Sequence, residues 1–90
     1  MDTNTDEDKS IIGKVAHVYT DKHSISIELI DKVRVGDTIL LGDGDTYMEH
    51  KIEKMKIAGI DVQKCFNGDI VEIDVATPVR EGSPVYKTNI

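Results

Sequence analysis

The stretch Val33-Arg34-Val35-Gly36-Asp37-Thr38-Ile39-Leu40-Leu41 decides the fold. It reads as a short loop that turns on Gly36 and feeds directly into a strand. Glycine accepts a positive φ that a side chain resists. The Asp that follows can bond nearby backbone groups and hold the turn. The aliphatic residues after it then enter a sheet. The same Gly-polar-x-aliphatic core recurs at Gly68-Asp69-Ile70-Val71 and, more weakly, at Gly82-Ser83-Pro84-Val85. A device used three times in 90 residues predicts a compact all-β body.

Composition agrees. Val and Ile number 21, against 6 for Leu and Ala together. β-branched side chains fit a pleated sheet and lose rotamer freedom in a helix. A chain of this length is expected to form one domain over residues 11–90, burying roughly 60–65% of its unfolded surface. Residues 1–10 carry Asp2, Asp6, Glu7 and Asp8 against Lys9. With no apolar residue beyond Met1, they are expected to be a disordered acidic tail.

The formal net charge is −6, which disfavours generic binding to phosphate backbones. Aromatic residues are few, too few for a base-stacking platform of the single-strand-binding type. One cysteine, Cys65, cannot form an internal disulfide, so a reducing cytoplasm is expected. No run reaches the ~20 apolar residues of a membrane span.

Outward from the opening stretch, residues 11–19 read as a strand with both faces partly apolar, bent at Gly13. Thr20-Asp21-Lys22 is a turn, and residues 23–29 alternate cleanly. Ile25, Ile27 and Leu29 point one way, and Ser24, Ser26 and Glu28 the other, which predicts a half-buried strand in a hairpin with the first. Gly42-Asp43-Gly44-Asp45 is a turn by composition. Residues 46–58 are ambiguous. Met48, Ile52 and Met55 have helical spacing, while strand alternation fits two pieces whose phase flips between Ile52 and Met55. A β-bulge near Glu53-Lys54 accounts for the flip, and the surrounding hairpins favour that reading. Val71, Ile73 and Val75 alternate as another strand, and Val85-Tyr86-Lys87 is a last one whose return would close the sheet. Six or seven short strands with frequent Gly turns predict a small all-β sandwich or barrel.

Several segments in order resemble a known pattern. Ile12-Gly13-Lys14-Val15, Val33-x-Val35-Gly36-Asp37-Thr38-Ile39, Lys51-Ile52-Glu53-Lys54-Met55-Lys56-Ile57, Gly68-Asp69-x-Val71-x-Ile73, and Val79-Arg80-Glu81-Gly82 with Val85-Tyr86-Lys87 resemble the second domain of translational GTPases. Elongation factor Tu is the type member. The resemblance implies a small closed antiparallel β-barrel of six or seven strands, with residues 51–57 as a strand. It also implies a binding module that engages RNA, the ribosome or a translation-related protein. A phosphate-binding Gly-x4-Gly-Lys-Ser/Thr loop is missing, so this chain alone is not expected to bind GTP. Similar barrels stand at the C-terminal end of collagenase-like peptidases, which gives the alternative: a protein–protein accessory module. The chain departs from the translational family in two places. Ser83 stands where that family usually has an acid, and the Gly42–Asp45 hairpin is acidic, which would weaken RNA contact made through that rim.

The chemistry-bearing residues point away from catalysis. His17, His23, His50 and Cys65 form no close pair of the kind a structural zinc site shows. A calcium loop begun at Asp43 would need Gly at Met48 and Glu at Lys54. Ser83 lacks the second Gly of a nucleophile elbow, and Cys65 has Lys64 beside it, which should lower its pKa modestly. No enzyme activity, metal or cofactor is therefore expected. The candidate binding residues are Lys32, Arg34, Lys51, Lys54 and Lys56, with Lys54 and Lys56 on one strand face. Their interleaving with Glu49 and Glu53 also fits paired surface charges of little energetic weight. Gly36, Asp37, Gly68, Asp69 and Gly82 are assigned to structural turns.

Overall fold

The computed structural model describes residues 9–42, 47–76 and 78–88. The chain is all-β. The described strands are β1 (Lys9–Tyr19), β2 (Ser24–Leu29), β3 (Val33–Arg34), β4 (Thr38–Gly42), β5 (Tyr47–Lys51), β6 (Met55–Ile57), β7 (Ile60–Val62), β8 (Lys64–Cys65), β9 (Ile70–Asp74) and β10 (Pro84–Thr88). Eight form one antiparallel sheet in the order β5-β4-β10-β1-β2-β9-β6-β7, and β3 pairs with β8 in a second, two-stranded sheet.

The turn on Gly36 forms as its residues predict. Gly36 has φ +102°. Asp37 N–H donates to the Arg34 carbonyl at 3.1 Å, and the Asp37 carboxylate accepts from Arg34 N–H at 3.0 Å. Positive φ at the third residue is what a type II turn requires. Phe66–Asp69 repeats the geometry: Gly68 has φ +95°, Asp69 N–H reaches the Phe66 carbonyl at 3.0 Å, and the Asp69 carboxylate accepts from Phe66 N–H at 2.8 Å. In the third copy, Ser83 N–H bonds the Arg80 carbonyl at 3.1 Å.

Each turn then grips one buried aliphatic residue on another segment. Gly36 N–H donates to Ile52 O at 2.8 Å, and Ile52 N–H donates to Asp37 O at 2.9 Å. Gly68 and Asp69 hold Leu29 in the same way, both bonds at 2.9 Å. Gly82 and Ser83 hold Val15, at 2.8 and 2.9 Å. The three gripped residues are almost wholly buried.

The first grip explains residues 46–58. They form strands, and the phase change is a break between β5 and β6 that leaves Ile52 bonded to the turn. Ile52 and Met55, on either side of the break, both face the core. The β6–β7 hairpin turns through Ala58 and Gly59, both at positive φ, as a two-residue type I′ connection demands.

Other expectations are modified. The β1–β2 hairpin is present, with a register shift between Val15 and His17 and a second, against β10, between Ile11 and Gly13. These shifts let Ile12 and Val15, an odd number apart, both enter the core. Most of β2 is buried on both faces. Ser24 donates to Glu72 at 3.0 Å and Ser26 to the Tyr19 hydroxyl at 3.1 Å, so its polar face is covered as far as Ser26 and exposed at Glu28. β10 lies between β1 and β4, inside the sheet.

The expected closed barrel is not formed as a continuous ladder: β5 and β7 end the large sheet unpaired with each other. Backbone bonds from residues 35–37, between β3 and β4, reach both ends instead. Asp37 and Gly36 reach Ile52 beside β5, and Val35 N–H reaches Gln63 O beside β7 at 3.0 Å. Lys9 and Ser10, expected in the tail, pair with Thr88 and Lys87 in β1. The rest of the expected tail, 1–8, and the acidic turn at Asp43–Asp45 lie outside the described residues.

Gly36→Val and Gly68→Val should each destabilise the fold by roughly 1–3 kcal/mol, because a β-branched residue resists positive φ. A Cβ at either position meets nothing within 4 Å, so the cost is conformational. Gly13→Ala should also destabilise, by collision, since its Cβ would meet the Glu28 carbonyl oxygen on β2. Chemical denaturation midpoints at unchanged m-value measure all three.

Candidate functional site

The five basic residues singled out from the sequence divide among three depressions. Lys32 and Arg34 line one beside β3 and β8. Lys51 and Lys54 line another with Glu49, Glu53 and Asp74. Lys56 lies in a third with Asp69 and Glu72, and sits opposite Glu72 in the β6–β9 pairing. Lys54 and Lys56 share no strand face, because the break after Lys51 places Lys54 in the connection before β6. Lys51, Lys54 and Lys56 are therefore each set among carboxylates.

The first depression differs. Its volume is about 280 Å³, and its lining brings in Lys64 and Lys87, which the sequence reading did not select. Local pairing builds it. The β3–β8 register sets Val33 opposite Cys65 and Arg34 opposite Lys64. Val33 and Cys65 are buried, so the adjoining pair, Arg34 and Lys64, faces outward. Lys87 arrives from β10, paired with Ile39. The lining carboxylate is Asp37, whose oxygens lie 3.8 Å from Arg34 Nε and 3.8 Å from Lys87 Nζ. Phe66, 56% exposed, completes the rim. Four cations and an exposed ring thus surround one carboxylate that already serves the Gly36 turn.

The remaining chemistry-bearing side chains are committed elsewhere. Cys65 is fully buried. Burial, with the Asp69 carboxylate as a second cause, raises its thiol pKa above the ordinary value. The expected lowering by Lys64 is overturned: burial keeps the thiol protonated and a poor nucleophile. His17 Nδ1 lies 3.0 Å from Glu81 Oε2, and its ring meets Tyr19 edge-on at 4.5 Å. His23 holds a turn at φ +54°, and His50 lines the mixed-charge depression beside β5. Ser83 is buried in the third turn. Among the described residues no three or more His, Cys, Asp or Glu side chains group in a way that could hold a metal. None of the described residues forms a helix long and apolar enough to cross a membrane.

Comparison with known proteins bears on the family. No protein-family model matches the chain. An uncharacterised protease of Methanocaldococcus jannaschii is 34% identical over 76 residues, covering 83% of this chain and 19% of that protein. The chain thus spans about a fifth of the length of the curated relative it matches. The solved C-terminal domain of a putative U32 peptidase from Geobacillus thermoleovorans superposes with a TM-score of 0.81 at 17% identity, covering 99% of each chain. Its selenomethionine variant gives 0.78 at 18% identity, over 84% of this chain and 96% of that one. These likenesses correct the resemblance to translational GTPases: both the structural and the sequence relatives are peptidase-related proteins.

The Cys65 thiol has a pH consequence. A raised folded pKa means the unfolded thiol ionises first. The contribution to stability is therefore full below the unfolded value and falls as pH rises through it towards the folded pKa. Starting from the ordinary value of 9.0, the denaturation midpoint should decline above about pH 9 more steeply than that of Cys65→Ala. Parallel pH profiles of the two proteins would show that the thiol is not held neutral by the fold.

Proposed function

We propose that the chain is a non-enzymatic accessory module that contacts another protein, in the manner of a domain appended to a peptidase. The observation that carries this reading is the end-to-end likeness to a domain solved by itself as the C-terminal part of a putative U32 peptidase. The curated relative, a protease several times longer than the matched segment, supports the same reading. The side chains add to it: the thiol is buried, Ser83 is buried in its turn, and His17 is paired with Glu81.

The surface offers an apolar contact. Ile11 and Ile30 are 48% and 55% exposed. Together they line a shallow depression of about 320 Å³ with Gly13, Lys14 and Glu28. Exposed apolar side chains brought together in this way mark interaction surfaces more often than scattered ones do.

A tagged form of the chain should retain protein partners from a nuclease-treated extract of its source cells. Ile11→Ser combined with Ile30→Ser should reduce that retention while leaving the melting transition in place. Retention that vanishes with nuclease, or that the double variant leaves unchanged, would overturn this reading of the surface.

A further inference from the structure

We propose, building on the reading as a protein-contacting module, that the depression framed by β3, β8 and β10 docks an acidic peptide segment of the partner. The segment carries carboxylates next to an aromatic or large aliphatic side chain.

The first argument is electrostatic. Arg34 and Lys64 stand directly opposite each other on a two-residue ladder. Like charges in that position are destabilising. Lys32 and Lys87 line the same depression, in a chain whose formal net charge is −6. The lining carboxylate, Asp37, is held by the Arg34 backbone N–H and lies close to both Arg34 and Lys87. It offsets part of this charge and cannot neutralise four cations. An incoming carboxylate relieves the remainder, and Arg34 can take it in the bidentate manner of a guanidinium.

The second argument concerns the apolar component. Phe66 is 56% exposed at the rim, although its backbone is fixed by the bond from its N–H to Asp69. A ring on a held backbone gives contact area at low entropic cost. An anion alone would leave that ring unused.

The third argument separates peptide from nucleic acid. Two other depressions hold cations among carboxylates: Glu49, Glu53 and Asp74 in one, and Asp69 and Glu72 in the other. A polynucleotide carries a phosphate at every step and needs an extended basic track, while this chain has a net charge of −6. A peptide can place its charges only where the cations are. About 280 Å³ suits one or two side chains.

The test uses fluorescence anisotropy with a labelled hexapeptide of alternating Glu and Phe, its Gln-Phe counterpart, and a labelled uridine hexanucleotide. The Glu-Phe peptide should bind, and binding should weaken with added salt. Arg34→Gln with Lys64→Gln should weaken it about tenfold, the scale expected for losing charge-assisted contacts. Phe66→Ser should weaken it severalfold. All three changed residues are exposed, and circular dichroism melting checks that the variants fold. Equal binding of the Gln-Phe peptide, no response to the double variant, or preference for the hexanucleotide would each overturn the proposal. The same double variant separates this site from the module reading. Partner retention from extract that survives it overturns the peptide site and leaves the module. Site-dependent peptide binding without any retained partner supports the site and removes the module.

Discussion

Three glycine turns, each fixed on a single buried aliphatic residue by a pair of backbone hydrogen bonds, are the constraint on which the rest of this structure depends. In each, the glycine N–H donates to the gripped carbonyl and the next residue's carbonyl accepts from the gripped N–H. The gripped residues, Val15, Leu29 and Ile52, lie at points where the sheet's own ladder is interrupted or ends: a register shift in β1, the end of β2 and the gap after β5. At such points buried backbone groups would otherwise lack partners, at a cost of about 1–3 kcal/mol each. A small domain has little excess stability to absorb that cost. The turns therefore do more than reverse the chain. They satisfy the backbone where the pleated pairing fails.

This account also explains what was legible in the sequence. The Gly-Asp recurrence is visible because the device needs a residue tolerant of positive φ followed by a short acceptor, and both requirements are local. The alternation of residues 24–29 is visible for the same reason. What could not be read depends on distance along the chain. The register shifts in β1 follow from the grip on Val15 by a turn almost seventy residues later. The β3–β8 pair joins two segments of two residues each, too short to carry a period. The resemblance to translational GTPases has a related origin. The matching pieces were mostly turns and the aliphatic runs after them, and a fold built on such turns repeats them whatever the protein is attached to.

The candidate site was half legible. Lys32 and Arg34 adjoin the Gly36 turn and stand out beside it. Lys64 and Lys87 reach the same depression through pairings with Arg34 and Ile39, and Phe66 follows β8 to its rim, which no local pattern announces. One signal was available: alternation in Val85-Tyr86-Lys87 puts Lys87 on the side of the buried Val85, an unusual place for a lysine. Lys51, Lys54 and Lys56 were equally conspicuous in sequence. The break at Ile52 divides them between depressions where acids from β5, β9 and the connecting segments surround them.

The turn and the basic depression are one construction. Asp37 closes the Gly36 turn with its backbone, holds Arg34 N–H with its carboxylate, and lies 3.8 Å from both Arg34 and Lys87. Arg34 is at once the first residue of that turn and the partner of Lys64. The geometry that grips Ile52 consequently also fixes where the opposed cations stand. The pairing fixes the backbones of Arg34 and Lys64 opposite each other, while their exposed side chains can still swing apart in solvent. The fold therefore sets the place of the cations and leaves their heads mobile. In the proposed site, affinity would come from charge-assisted contacts set against the ordering of those side chains.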